Sequence, residues 1–524
     1  MSANLQAGQI PTDDASSGAV PREAFLTGDP APQDLKRRTV HGAMVSACSQ
    51  VATLALRTGS MMILARLLVP QEFGLVGMVT AFTGILTLFR DAGLGMAAVQ
   101  RASITDAQIS TMFWINLGFG TLIAAMAAIA APVLAMFYRE PRLVLITLAL
   151  ALGFVFNGAS AQHLALLQRA MRFKAIAVLN VTALIVSIAA AIGSALAGFG
   201  YWALVWMNIG QPFVTAVGAW VVTGWKPGRP RRRSGVRPMI RYGGALTLNN
   251  FIFYLAYNLD KILVGKFWGA EALGLYGRAY QWINLPTENL NSTIGLVGFP
   301  ALSRLQNEPA RFRSFFLKGY GFFLSIILPI TVACALFAGD IVRVVLGPKW
   351  DDAVPIFRLL APTILAFALT NPFAWVMLSL GHTTRNLKIG LMVAPVLLVG
   401  YLIGLPHGPT GVAAGFSIAM VLLVAPVIVW AKRGTLVSHG DILRVVAKPL
   451  ASISMSVVVF WGVHSWIGQV QFTFLRLVVE CAVLFGVHLL LLLFAMNQKT
   501  VYLDLLRTTG IWPIGARRHT KDPS

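Results

Sequence analysis

Of 524 residues, 56% are hydrophobic and 12% charged, whereas an average soluble domain has roughly 45–50% apolar and about 25% charged residues. No soluble core hides that much apolar surface. With a mean hydropathy of +0.71 and uncharged apolar runs of about 20 residues recurring from Gly42 to Met496, the chain reads as an all-α polytopic membrane protein, and soluble enzyme classes are excluded. The net charge of +22, from 42 Lys+Arg against 20 Asp+Glu, would suggest nucleic acid in a soluble protein; here topology explains most of it, and no nucleic-acid partner is expected.

Residues 1–37, rich in Ala, Gly, Pro, Ser and Asp and lacking an apolar signal-peptide core, read as a disordered cytoplasmic tail. Fourteen spans are expected, with centres near residues 54, 82, 122, 154, 187, 211, 255, 286, 327, 367, 396, 420, 457 and 484. They divide into an N-lobe of six (38–225), a basic cytoplasmic linker (226–241), a C-lobe of six (242–431), an extra pair (432–497) and a cytoplasmic tail (498–524). An even number places both termini on one side. Tails and even-numbered loops carry about 31 Lys/Arg and odd loops about seven, so both termini are expected in the cytoplasm.

No loop exceeds about 20 residues, and the longest outside one runs from about Gly339 to Val354. That leaves no room for a nucleotide-binding or large catalytic domain, and no G-x-x-x-x-G-K-[ST] is present, so direct ATP drive by this chain is excluded and it is read as a non-enzyme. Cys48, Cys334 and Cys481 are isolated in or beside apolar spans and read as packing residues, with no disulfide, metal or cofactor expected. His163, His464 and His488 are read as packed or interfacial rather than as a proton relay.

Sliding the chain by 200 residues aligns Gly74-Leu75-Val76-Gly77 with Gly274-Leu275-Tyr276-Gly277, and Arg66 with Lys266. The same offset lays the first span on the seventh and the second on the eighth. Six is even, so the two lobes are expected to be related by a pseudo-two-fold along the membrane normal.

Polar stripes mark three spans. On the first, Ser46, Gln50, Thr53, Arg57 and Ser60 share one helical face; on the seventh, Asn250, Tyr254, Tyr257 and Lys261 do, with Asn258 and Asp260 beside them. The eighth carries Arg278, Gln281, Asn284, Glu288 and Ser292 around Pro286, whose missing N–H opens the backbone ladder. A charge aimed at lipid is costly, so these faces are expected to line a common interior. Arg57, Lys261 and Arg278 against Asp260 leave an outer half with two excess positive charges, which would attract an anion. Asp260 is read either as pairing with Arg57 or Arg278 or as purely structural. Arg90-Asp91, at the inner end of the second span, reads as an interfacial cap or gate.

The stretch Ala65-Arg66-Leu67-Leu68-Val69-Pro70-Gln71-Glu72-Phe73-Gly74-Leu75-Val76-Gly77, followed by Phe89-Arg90-Asp91-Ala92-Gly93-Leu94-Gly95, resembles the opening of the Wzx-type polysaccharide transporters, particularly the colanic-acid exporter branch. So do Leu259-Asp260-Lys261-Ile262-Leu263-Val264-Gly265, Leu285-Pro286, Phe299-Pro300-Ala301-Leu302-Ser303-Arg304 and Leu346-Gly347-Pro348-Lys349-Trp350. The resemblance implies a flippase of the multidrug/oligosaccharidyl-lipid/polysaccharide superfamily, two six-helix lobes around a central cavity. Its cargo would be an oligosaccharide on undecaprenyl diphosphate, turned from the cytoplasmic to the periplasmic leaflet of the bacterial inner membrane for exopolysaccharide or lipopolysaccharide synthesis. It further implies lipid and polysaccharide-assembly partners and exchange against H+ or Na+, with Asp260, Glu288 and Asp91 as acidic candidates. A lipid II flippase or cation-coupled drug exporter of the same fold, and a membrane-embedded polymerase or ligase, are the competing readings.

Overall fold

The computed structural model describes residues 32–90, 104–230, 237–467, 472–496 and 498. Asp91 lies outside them, and the side chains of Arg90, Asn250 and His464 are likewise outside the described residues. Apolar stretches in lipid must satisfy their own backbone groups, and among the described residues the chain does so entirely with helices. In order these are α1 (Pro32–Leu67), α2 (Pro70–Arg90), α3 (Asp106–Tyr138), α4 (Leu143–Arg169), α5 (Phe173–Leu196) and α6 (Trp202–Thr223). A helical stretch Arg237–Arg304 breaks at Gly269 into α7 and α8. There follow α9 (Pro309–Leu336), a short α10 (Ala338–Val345), α11 (Ala353–Ser379), α12 (Thr383–Gly404), α13 (Gly408–Ala431), α14 (His439–Ile467) and α15 (Thr473–Leu490).

Each of the fourteen expected span centres falls within a helix. By length and composition alone, ten stretches among the described residues can cross a membrane, with α12 and α13 counted in one; α1, α7 and α8 do not qualify because of their polar residues. Apolar side chains point outward along the qualifying helices: Ile129 is 75% exposed, Val221 76% and Val458 72%. Such a surface is stable only against lipid, so the protein is a multi-pass membrane protein.

Three local expectations are amended. α1 begins at Pro32, inside the segment read as a tail, because Pro has the fixed φ and missing N–H that a first helical turn accepts. The break in the polar pair lies at Gly269, whose φ of 83° favours glycine, while the helix runs through Pro286 with helical dihedral angles. The stretch read from sequence as the longest outside loop is folded: it holds most of α10 and a turn at Pro348–Trp350, and buried Trp350 donates Nε1–H to Ala65 O at 2.8 Å.

The described residues form two compact units. The first draws on Met1–Ser60, Leu86–Ala135 and Val144–Thr247. Within it α3 and α4 cross with bare backbones touching, since a Cβ on Gly120 would stand 2.5 Å from Phe154 O and one on Gly158 2.7 Å from Asn116 O. His163 is buried in a cage of Phe113, Trp220 and Trp225, its Nδ1 2.8 Å from Thr223 Oγ1.

The second unit draws on Met61–Ile85, Met136–Leu143 and Leu248–Ser524. Here the 200-residue repeat becomes geometry. A Cβ on Gly74 would stand 1.6 Å from Ala270 O, and one on Gly274 1.9 Å from Pro70 O. Adding 200 to Gly74 gives Gly274 and taking 200 from Ala270 gives Pro70, so the second contact is the first with its helices exchanged, which is what a two-fold between α2 and α8 produces. α14 and α15 pack on α9 through Phe337, Ile453, Phe460 and Leu484. His488, also buried, meets Ser325 O at 3.1 Å, and Arg476 ion-pairs with Asp340. The three cysteines are free.

Candidate functional site

The helical hairpin at Gly269 lays α7 beside α8, and together with the start of α2 they enclose an open, polar cavity of about 320 Å³ in the second unit. A second chamber of about 260 Å³ shares Asn258, Lys261, Tyr280, Asn284 and Glu288 with it and extends to Asn371 of α11. The stripes read from sequence explain why it is polar: Tyr254, Asn258 and Lys261 lie one turn apart on α7, as do Gln281, Asn284 and Glu288 on α8.

Two cations line the cavity. Lys261 donates from Nζ to Asn258 Oδ1 at 2.7 Å and sits 4.4 Å from the centroid of the Tyr280 ring. Arg278 lies 4.8 Å from the Phe73 centroid, gives Nη1–H to Met61 Sδ at 2.8 Å, and keeps a buried Nε–H with no hydrogen-bond partner among the described residues. A thioether and a ring face are weak acceptors, so most of the guanidinium's hydrogen-bonding capacity is unused. Glu288, exposed to the cavity, accepts from Asn284 Nδ2 at 2.7 Å. Two cations against one carboxylate leave a net positive lining. Thr287 Oγ1 and Asn291 Oδ1, buried at the second chamber, have no hydrogen-bond partner among the described residues.

Not every expected site residue joins this cavity. Arg57 belongs to the first unit, where its exposed side chain reaches Gln211 Oε1 at 3.5 Å, the outer limit of a hydrogen bond; Gln50 is exposed in the same unit. Asp260, read either as a partner of Arg57 or Arg278 or as purely structural, is fully buried off the cavity wall and accepts from the backbone N–H of Lys261 and from Tyr276 Oη–H, each at 2.7 Å. The reason is helical phase: on α7 Asp260 points about 100° away from Lys261 and so faces the packed core. Tyr257 lies against Phe253 and Phe367, and it lines the second chamber. Tyr254 Oη–H closes on Ala81 O at 3.0 Å, where Gly84 leaves room for its ring.

Sequence reasoning missed Tyr280, Phe73 and Asn371. Aromatic residues at helical spacing read as core, and Asn371 sits in a mostly apolar span with no polar stripe; its signals are Thr370 beside it and its place before Pro372.

A family model described as polysaccharide biosynthesis protein matches residues 63–355, more than half of the chain and all of the first chamber's lining. The lipopolysaccharide biosynthesis protein WzxC of Escherichia coli (strain K12) is 25% identical over 398 residues, covering 74% of this chain and 80% of that protein. The teichuronic acid biosynthesis protein TuaB of Bacillus subtilis (strain 168) is 28% identical over 297 residues, 56% of this chain and 61% of that one. Among solved structures, the lipid II flippase MurJ in an inward closed conformation is similar with a TM-score of 0.69 at 12% identity, over 89% of this chain and 100% of that one. At that identity the likeness is one of fold. The chain thus belongs to the polysaccharide biosynthesis protein family, in a multi-pass helical fold similar to that of MurJ.

Proposed function

We propose that this chain is a flippase that carries a lipid-linked oligosaccharide, precursor of a cell-surface polysaccharide, from the cytoplasmic to the periplasmic leaflet of the bacterial inner membrane by alternating access. The observation that carries the reading is the open cavity in which Lys261 and Arg278 stand among amides. A diphosphate linkage needs cations, and a planar guanidinium with an unused donor suits its oxygens. The sugars need donors and acceptors, which Asn258, Asn284 and Gln281 supply. The names of WzxC and TuaB, both biosynthesis proteins of surface polymers, support the same cargo class.

A carrier of cationic drugs would want excess carboxylate, and this lining has excess cation. A polymerase or ligase would want an external catalytic domain, whereas the stretch around α10 is short and buries Trp350 as a packing residue. Glu288, the carboxylate that shares the cavity with Lys261, is the coupling residue of this reading, exchanging an H+ or Na+ as cargo enters and leaves. Both termini and the basic segment 226–241 face the cytoplasm, by charge asymmetry.

The test is complementation of a deletion strain. Loss of the chain should abolish surface polymer and accumulate the lipid-linked unit. Wild type should restore export and Lys261→Ala/Arg278→Ala, at equal membrane levels, should not; full restoration by the double variant overturns the reading. Glu288→Gln should insert normally yet uncouple transport from the ion gradient.

A further inference from the structure

The first unit holds a larger hollow of different character, a groove of about 620 Å³ bounded by α1, the α4–α5 turn, α5 and α6. On α5 its wall runs along one helical face, Lys174, Val178 and Thr182, with Leu179 beside them; Val222 of α6 forms the other side. Arg172 and Lys174 stand at one end. At 1.5 Å per residue the track from Lys174 to Thr182 is about 12 Å long. It is apolar throughout that length until the Thr182 hydroxyl.

Position fixes what such a groove meets. α5 is apolar enough to cross a membrane from Phe173 onward, so its first turn lies at a membrane–water interface whichever way the chain is oriented. There the lipid phosphates sit. Arg172 and Lys174 are exposed and make no side-chain hydrogen bond or ion pair with the described residues, and the groove lining contains no carboxylate to neutralise them. They are also held in place: only three residues separate α4 from α5, and Arg172 N–H closes the turn on Leu167 O at 2.9 Å, with Met171 at a φ of 53°.

We propose that this groove is a binding site for an anionic glycerophospholipid, its phosphate clamped by Arg172 and Lys174 and one acyl chain laid along Val178, Leu179 and Val222. The lipid-linked cargo is the poorer fit. Next to the two cations the groove offers no amide or hydroxyl for a sugar; the Thr182 hydroxyl lies at the far end of the track, about 12 Å from Lys174. Two cations without a counter-charge also select an anionic headgroup over a zwitterionic one.

The test uses the full-length protein, purified and titrated with dioleoylphosphatidylglycerol or dioleoylphosphatidylcholine under native mass spectrometry. Wild type should retain the glycerol lipid preferentially. Arg172→Ala/Lys174→Ala should bind it roughly thirty-fold more weakly, no better than the choline lipid, because each interfacial cation is worth about a fivefold change in binding. Val178→Trp, at a position that is 58% exposed and tolerant of bulk, should lower occupancy by both lipids through obstruction of the acyl track. Unchanged phosphatidylglycerol binding in either variant overturns the site. Displacement of phosphatidylglycerol by equimolar undecaprenyl phosphate overturns the phospholipid assignment and gives the groove to the carrier lipid.

Discussion

The polar faces of α1 and α7 are 200 residues apart in one repeat, yet they have diverged in chemistry while keeping their frame. At the end of α1, Arg66 donates from Nη2 to Val344 O at 2.8 Å; at the matching end of α7, Lys266 donates from Nζ to Phe137 O. Just beyond, Gly74 and Gly274 make reciprocal backbone contacts. One turn inside the membrane the correspondence stops. Arg57 is exposed with one long contact, whereas α7 places Lys261 on a cavity and buries Asp260 against Tyr276. The repeat is preserved where backbones touch and no side chain fits. It is relaxed where side chains face open space and can change one at a time.

The largest effect should come from breaking the frame. Gly74→Leu and Gly274→Leu each drive side-chain atoms into a carbonyl that a Cβ already meets at 1.6 or 1.9 Å. Backbone cannot yield as a side-chain tip does. Each should cost about 3 kcal/mol or more and remove folded protein from the membrane, while Gly277→Ala, with nothing within 4 Å, should be neutral or better. Thermal midpoints in detergent measure this; unequal costs at Gly74 and Gly274 would end the two-fold account.

Breaking the chemistry should come next. If the cavity of α7 and α8 holds the cargo phosphates, Arg278→Ala should lower export about 10- to 100-fold at normal protein levels, with Arg278→Lys recovering part. Arg57→Ala should lower it less, since its side chain lies in the other unit with a 3.5 Å contact. A greater loss at Arg57 would reverse the assignment of the charges and favour the first span as the cargo contact.

These two tests also mark what could be read from sequence. Helix positions followed from apolar length, and even the polar helices α1, α7 and α8 were found, by their stripes rather than their hydropathy. Lys261, Arg278, Asn284 and Glu288 were legible because a charge or amide inside lipid needs a reason. Asp260's partner was not, because Tyr276 lies across the Gly269 break and a tyrosine carries no charge to betray it. Nor was Tyr280, whose ring under Lys261 resembles any packed aromatic until the helices are docked.

A smaller effect should attend the buried hydrogen bond that has no counterpart on α1. Tyr276→Phe leaves one oxygen of a fully buried carboxylate without its donor, which should cost about 1.5–3 kcal/mol. Asp260→Asn in that background removes the charge and should return part of the loss. Additive costs in the double variant would show that the pair does not act as a unit.

The smallest effect lies in the two turns that follow the helix ends receiving Arg66 and Lys266. Each is closed by an ion pair: Arg343 to Asp351 at 2.9 Å after α10, and Arg142 to Glu140 at 3.0 Å after α3. The guanidinium of Arg343 holds the Asp351 carboxyl below its ordinary value of 3.8, chiefly by hydrogen bonding. A carboxyl depressed on folding stabilises above that ordinary value and loses its contribution as acid protonates it in the folded state, so the effect belongs to pH below about 4. Both partners are exposed and the attraction is screened, so Asp351→Asn should move the thermal midpoint at neutral pH by about 1 °C or less, and salt should erase the difference. Glu140→Gln should behave alike if the turns are equivalent members of the repeat. A shift of several degrees at one turn alone would mean that Arg66 or Lys266 depends on its clip, and that the frame shared by α1 and α7 is kept by side chains as well as by backbone.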